Sequence, residues 1–475
     1  MKRQILITTA LAGFVGLSGI LPSAVLAHDA LAEDALDKSE LTNEQFFTGE
    51  VLRGTKNLKN WYEAAAIAPE IIREDGAKNR VADVYAHKGF AYLGTHVYSG
   101  SGNGGVRIFD LKDPANPVEV SHFAHDIPHT WQEKVIVKSV NTPHFKGDLA
   151  VVSVQQTSRN NSNRPDSRGG VLIYDVTNPY EPQQLGFWEL DRRISGTHEL
   201  YLTTQGNKAL LLAANPYADF YTHGEQKDFQ IVDVSDPVNP ETIYQWNPRD
   251  LEEVADSFNG YHWSSPDGKT RPVFAHSAIT DVTGRYAYVS MWDLGTVIFD
   301  LKNPSAPEVL GRTDFASHQQ GSAHSANVAK GGTVLIETRE ISNPLRPGYE
   351  EGYGYTRIFD IKDKSNPIIL SEFRTELTTQ IPDDPALRNS FANTVHDPKV
   401  RGNTLYLSYN AGGIVSVDIT NPSKPEEIAR YTPEASNVWG VYVDRNYILA
   451  SDKDSGLKVL LTNSGNNDNN GNTKK

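Results

Sequence analysis

A short phrase recurs six times along this 475-residue chain, and that recurrence limits the fold before any chemistry is considered. It reads Gly-Gly-Val-Arg-Ile-Phe-Asp-Leu-Lys-Asp-Pro-x-x-Pro at Gly104 to Pro117. It returns at Gly169 to Pro182, Asp228 to Pro240, Gly295 to Pro307, Tyr355 to Pro367 and Gly412 to Pro425. The aspartates that close the apolar run are Asp110, Asp175, Asp233, Asp300, Asp360 and Asp418, spaced by 65, 58, 67, 60 and 58 residues. A period this regular means repeated supersecondary units that stack to bury a shared core.

One unit, Phe274 to Phe315, predicts four strands. His276 to Asp281 is the first. Tyr286 to Met291 alternates aromatic and small residues, as a strand does. Trp292 to Gly295 is a hairpin loop with glycine where positive φ is needed. Thr296 to Leu301 is apolar or β-branched almost throughout, so it is expected to be buried on both faces. A turn with two prolines follows, and Glu308 to Arg312 is an outer edge strand. No segment of the unit has helical periodicity. Four antiparallel strands repeated radially make an all-β propeller.

The ends of the chain set the blade count. The last unit, Asn437 to Thr462, supplies three strands and stops. Pro69 to Glu74 matches the outer strands that follow each Pro-x-x-Pro turn. The reading is therefore seven blades, with an N-terminal strand completing the seventh and removing the open edges of the ring.

The phrase resembles the LVIVD repeat of bacterial secreted and surface proteins, and Ile231-Val232-Asp233 comes nearest to the name. The likeness runs from about Pro69 to Thr462. It implies a propeller and a place outside the cytoplasm, and no particular reaction. The fifth copy departs, with Lys364 where the others have proline, and a looser turn is expected there.

Lys2 and Arg3 precede an apolar stretch from Ile5 to Ile20, and Val25-Leu26-Ala27 is a small-residue cleavage site. Residues 1–27 read as a secretory signal peptide. Residues 28–66 read as an N-terminal extension with a helix over Leu52 to Ala66, 67–462 as the propeller, and 463–475 as a disordered Asn/Gly-rich tail. Cleavage removes Lys2 and Arg3 and takes the formal charge from −14 to −16. Such acidity disfavours nucleic acid and anionic lipid as partners. The chain has no cysteine, which rules out disulfides, thiolate metal sites and thiol nucleophiles. No integral membrane span is expected after cleavage, so the protein is read as secreted or associated with the cell surface.

Histidine placement is the main chemical clue. His129, His198, His276, His324 and His396 fall just before or at the start of successive innermost strands, in blades two to six. Imidazoles converging on the channel axis could bind a divalent transition metal, copper or zinc, with Glu199 and Asp397 as supporting carboxylates. The competing reading is a structural role copied with the repeat. The loops between second and third strands are long at Val97 to Gly104, Thr157 to Arg168, Tyr217 to Lys227 and Glu340 to Gly354. They lie at the same end as the histidines, which marks a binding face. Second strands end there with His96, Gln156, Asn215, Asp293, Arg339 and Asn410, expected to line a wet funnel.

Two functions stay open from sequence. One is a binding module that takes a small molecule, glycan or extracellular protein on its looped, His-lined face. The other is a metal-dependent enzyme, oxidase or hydrolase, with its site in the funnel. A serine hydrolase and a phosphate-loop enzyme are disfavoured, because neither motif is present.

Overall fold

The computed structural model describes residues 61–68, 80–96, 104–157, 166–341, 346, 348–349, 354–375, 378, 394–432, 436–444 and 447–462. They form seven radial antiparallel blades of four strands each, with the short strand Thr130–Trp131 added to the second blade and a separate two-stranded ribbon, His262–Ser264 with Thr270–Pro272. Six blades run continuously, over 80–123, 135–189, 199–246, 277–312, 323–373 and 398–431. The seventh takes three strands from 438–462 and a fourth, Trp61–Ile67, from the other end of the chain. Each first strand lies against the first strands of both neighbouring blades, the last against the first, so the ring is closed.

The closing strand differs from the expected one. Trp61–Ile67 runs antiparallel to Gly456–Thr462, with Tyr62 opposite Leu461 and Ile67 opposite Leu457. The helix expected over Leu52 to Ala66 is therefore corrected at its C-terminal end, and the propeller begins at Trp61 rather than at residue 67. The alanines favour helix weakly, and pairing with an otherwise open apolar edge outweighs that preference. Residues 69–74, first assigned to this strand, and 1–60, which hold the signal-peptide reading, lie outside the described residues. Among the described residues, no helix is long and apolar enough to cross a membrane.

The apolar cores sit between blades. Phe299 and Ile231 meet in one cluster across blades three and four; Val151 and Leu211 share the next across blades two and three. Leu93 and Leu449 join blade one to blade seven. The third strands are buried on both faces, as their composition requires: Thr296–Asp300 is exposed only at its last residue, and there only in part.

The aspartate that closes each phrase has a backbone task. The Asp110, Asp175, Asp233, Asp300, Asp360 and Asp418 carboxylates each accept the N–H two residues on, at 2.7–2.9 Å. Three residues later a second Asp or Asn does the same, from Asp113 to Asn421. Two consecutive side-chain turns thus satisfy the amides that leave the sheet and aim the chain into the outer strand. Lys364 does not loosen its turn: Asp363 still accepts from Ser365 and Asn366, and the Lys364 ammonium lies 4.4 Å from the Tyr286 ring centre.

Candidate functional site

The site begins with a repeated irregularity at the start of the first strands. The His198, His276 and His396 amides donate to the carbonyls of Ala214, Ser290 and Ser408. The following residues, Glu199, Ser277 and Asp397, stand opposite those same partners. Register shifts occur at the matching place in blades one, five and seven. Two residues facing one is a β-bulge, and bulges re-aim side chains. Here they let two consecutive residues of one strand both point toward the channel.

The first of these residues contributes to a closed belt of aromatic rings. His198 and His276 are 4.5 Å apart between ring centres, His276 and His324 4.1 Å, His324 and His396 4.2 Å, and His396 and Trp439 3.8 Å. Trp439 is 6.1 Å from His96, His96 is 3.9 Å from Trp131, and Trp131 is 6.1 Å from His198. The belt has one ring from each blade, and every member is at most 4% exposed. His129 is not in it: Trp131 holds blade two's place, and His129 is half-buried with φ 58°, its carbonyl accepting from Thr157. In blade one the equivalent position is Ala82, too small to reach the axis, and His96 fills the gap from the second strand.

The second residue of each bulge builds a charged tier. Lys134 Nζ lies 2.7 Å from Asp83 Oδ2, 3.1 Å from Glu199 Oε1 and 2.9 Å from Asp397 Oδ2, so one ammonium joins blades one, three and six to its own. Burial opposes the charge on Lys134, but Asp397, Asp83 and Glu199 outweigh it and hold its pKa well above the usual value. Burial likewise opposes charge on Asp397, and Lys134 and Lys399 outweigh it, so this carboxyl sits well below the usual range. Glu199 goes the other way. Burial pushes it up to about 8 against the pull of Lys134, helped by Asp397, Glu133 and Asp83. Ser325 Oγ donates to Asp397 Oδ1 at 2.7 Å, and Trp439 Nε1 donates to Glu133 Oε1 at 2.9 Å. Gly440 is required in this tier, because a Cβ there would stand 1.9 Å from Asp83 Oδ1.

Among the described residues, the donor groups that approach one another closely each combine two imidazoles and one carboxylate. They are His276, His324 and Glu340, and His324, His396 and Asp397, each with donor atoms within 4.8 Å of one another. Among the described residues neither ring nitrogen of His396 has a hydrogen-bond partner, and burial lowers its pKa against the opposing pull of Glu340 and Asp397.

The expected wet funnel is sealed. His96, Gln156, Asn215, Asp293, Arg339 and Asn410 are all buried, and His96 belongs to the belt. The others secure the loops and seams between blades. Gln156 Nε2 donates to Ser167 O, Asn215 Oδ1 accepts from Thr197, and Asp293 pairs with Arg346. Arg339 Nε donates to Gly321 O, and Asn410 makes a bridge to Val438. Above them, the looped end carries an open cleft of about 420 Å³ lined by Asp219, Phe220, Tyr221, His223, Arg249 and Asn259. Asp219, Phe220 and Tyr221 belong to a short helix, Ala218–Thr222, in the long loop of blade three. Sequence reasoning marked the loop Tyr217 to Lys227 that carries most of this cleft, but it did not single out Asp83, Glu133, Lys134, Trp131 or Trp439, nor Glu340 as a donor. Counting one residue on from each repeated histidine would have pointed to the charged tier.

The LVIVD repeat family matches the chain at residues 223–247, 280–314 and 394–433. No curated protein matches its sequence. Among solved structures, the chain is similar to the Neurospora crassa Pan2 WD40 domain, with TM-score 0.50 and 12% identity over 86% of this chain and 98% of that one. It is also similar to Chaetomium thermophilum Raptor, with TM-score 0.50 and 12% identity over 85% of this chain and only 29% of Raptor's length. At such identity the likeness concerns the fold alone. The closed ring makes this chain a seven-bladed β-propeller, and three of its segments match the LVIVD repeat.

Proposed function

We propose that this propeller is a binding module whose ligand sits on the looped end of the ring, and that the ligand is a glycan or a small polyhydroxylated molecule. The observation that carries this reading is the cleft around Phe220 and Tyr221. Half-buried aromatic rings offer flat apolar surface to a sugar ring, and Arg249, His223 and Asn259 offer planar polar groups to its hydroxyls. The floor is rigid. Asp219 is gripped by Lys227 Nζ at 3.1 Å, Arg249 Nη2 at 2.9 Å and the Asn247 amide. Burial would raise the Asp219 pKa, but Arg249 and Lys227 hold it below the usual range, so it stays charged. The cationic and then apolar start of the sequence supports export, which would bring the module to extracellular ligands.

The enzyme reading has less support. The histidine belt is at most 4% exposed, so a substrate would have to displace buried rings to reach it. Binding of the purified chain to a panel of mono- and oligosaccharides tests the proposal. Tyr221→Ala and Phe220→Ala should each weaken a positive interaction about tenfold with unchanged melting temperature, the loss expected for one stacked ring at about 1 kcal/mol or more. A panel without a hit, or variants that bind like the parent, would remove the cleft from consideration.

A further inference from the structure

Hydrogen-bond bookkeeping on the histidine belt leads to a second site, independent of the cleft. His276 Nδ1 lies 3.1 Å from the His324 carbonyl oxygen, which can only accept. Nδ1 therefore carries the proton, and the neutral ring presents a lone pair at Nε2. His198 Nδ1 lies 3.0 Å from both Glu133 Oε2 and Gln155 Oε1, again acceptors, so its lone pair is also at Nε2. These two Nε2 atoms face each other at 3.1 Å. Two lone pairs so placed repel unless something positive is shared between them.

The same pattern occurs one blade on. Ser325 Oγ donates its hydrogen to Asp397, so it accepts from the His324 Nδ1–H beside it. The His324 lone pair is then at Nε2, and it faces Glu340 Oε2 at 3.6 Å. Three imidazole lone pairs and a carboxylate thus turn toward one stretch of the channel. In each ring the opposite nitrogen is fixed by the Gln155 amide oxygen, the His324 carbonyl or the Ser325 hydroxyl, which is the support that metal-bound histidines need.

We infer that the channel holds one divalent transition-metal ion, ligated by His276 Nε2, His324 Nε2 and the Glu340 carboxylate, with His198 Nε2 as the adjacent fourth donor. Nitrogens on a common ion at roughly 2.0–2.1 Å stand about 3 Å apart, as the His198 and His276 pair does. The alternative seat at His324, His396 and Asp397 is weaker, because Lys134 at 2.9 Å and Lys399 at 3.1 Å already neutralise Asp397 and would repel a dication. Imidazole-rich donors select a borderline ion such as zinc(II) or copper(II) over calcium. Buried as it is, the ion ties blades three, four and five together at the channel axis.

The test uses the untagged full chain, stripped with a chelator and titrated with Zn²⁺ and with Co²⁺. About one ion per chain should bind, with a raised melting temperature and, for Co²⁺, the intense visible absorption of a four-coordinate site. Glu340→Gln and His276→Gln should each weaken binding by about tenfold or more, while His129→Ala should leave it unchanged. Glu340→Gln keeps the side-chain shape, so it decides the matter if the histidine variant does not fold. Failure to bind either ion at about 100 µM, or parent-like binding in a folded Glu340→Gln variant, would overturn the site and leave protons to bridge the facing lone pairs. Tyr221→Ala should not alter metal uptake, which keeps this result separate from that of the cleft.

Discussion

At the end of the ring where third strands turn into fourth strands, six blades repeat one chemistry: the same two side-chain turns, with the first bond always at 2.7–2.9 Å. At the opposite end, where first strands begin, equivalent bulge positions hold Asp83, Lys134, Glu199, Ser277, Ser325, Asp397 and Gly440. The backbone is equally regular at both ends. What differs is whom the side chains serve. At the turn end each aspartate satisfies amides of its own blade, so a copied blade brings its own solution. At the channel end the side chains meet partners from other blades, so a copied residue would leave an unmatched charge. Repetition therefore marks local structure, and divergence at equivalent positions marks a site assembled by the whole ring.

Four measurements would break or sharpen this contrast. The largest effect belongs to what the blades share. Phe299→Asp and Ile231→Asp each put a carboxylate into the apolar cluster between blades three and four, where both residues are fully buried, at a cost of about 4 kcal/mol or more each. A soluble variant with parent-like denaturant unfolding would mean that these strands are not central. Next comes the channel tier. Lys134→Met leaves Asp83, Glu199 and Asp397 without their shared cation and should cost about 3–5 kcal/mol in urea unfolding. A loss below about 1 kcal/mol would make the tier as local as the turns.

The third measurement uses pH at the looped end. Burial pushes Asp228 up to about 7, although the Asp219, Tyr217 and Ala275 amides pull it down. Its folded pKa is above the unfolded value of about 3.9, so the folded chain binds the extra proton between those values. Stability contributed by this group is complete below about pH 4 and is lost as pH rises through about 7. Asp228→Asn should flatten the melting temperature against pH across that window, by up to about 1.4 kcal/mol per pH unit. An unchanged profile would place the titration elsewhere. The smallest effects should be the most uniform. Asp233→Ala, Asp360→Ala and Asp418→Ala each remove one equivalent turn bond and should each cost about 1 kcal/mol. A spread wider than about 1 kcal/mol among the three would show that the turns too depend on their blade.

The same contrast explains what was legible in the sequence. The turns and third strands could be read from six copies, because their contacts are local and their chemistry recurs. The four histidines at equal bulge positions were legible for the same reason. Their partners were not. Trp131 and Trp439 complete the belt from positions without a histidine, and Lys134 reaches carboxylates of three other blades across the channel. Bulges decide which residues face the axis, and nothing in strand periodicity announces a bulge. The closing strand was expected at Pro69 to Glu74 because that stretch copies an outer-strand phrase. Trp61–Ile67 copies none, and it was recognisable only through its partner, Gly456–Thr462.

That partnership also governs how the molecule is made. Trp61 pairs with Thr462, so the contact that shuts the ring joins residues almost the full length of the propeller apart. Such a contact is entropically late, and chains dominated by distant pairings fold slowly. The first of the described strands to leave the ribosome is the last to find its place. Until it does, Leu457, Val459 and Leu461 lie along an unpaired edge, ready to accept a strand from another copy. Refolding yield should therefore fall with protein concentration, and a synthetic peptide spanning residues 61–67 should compete for that edge.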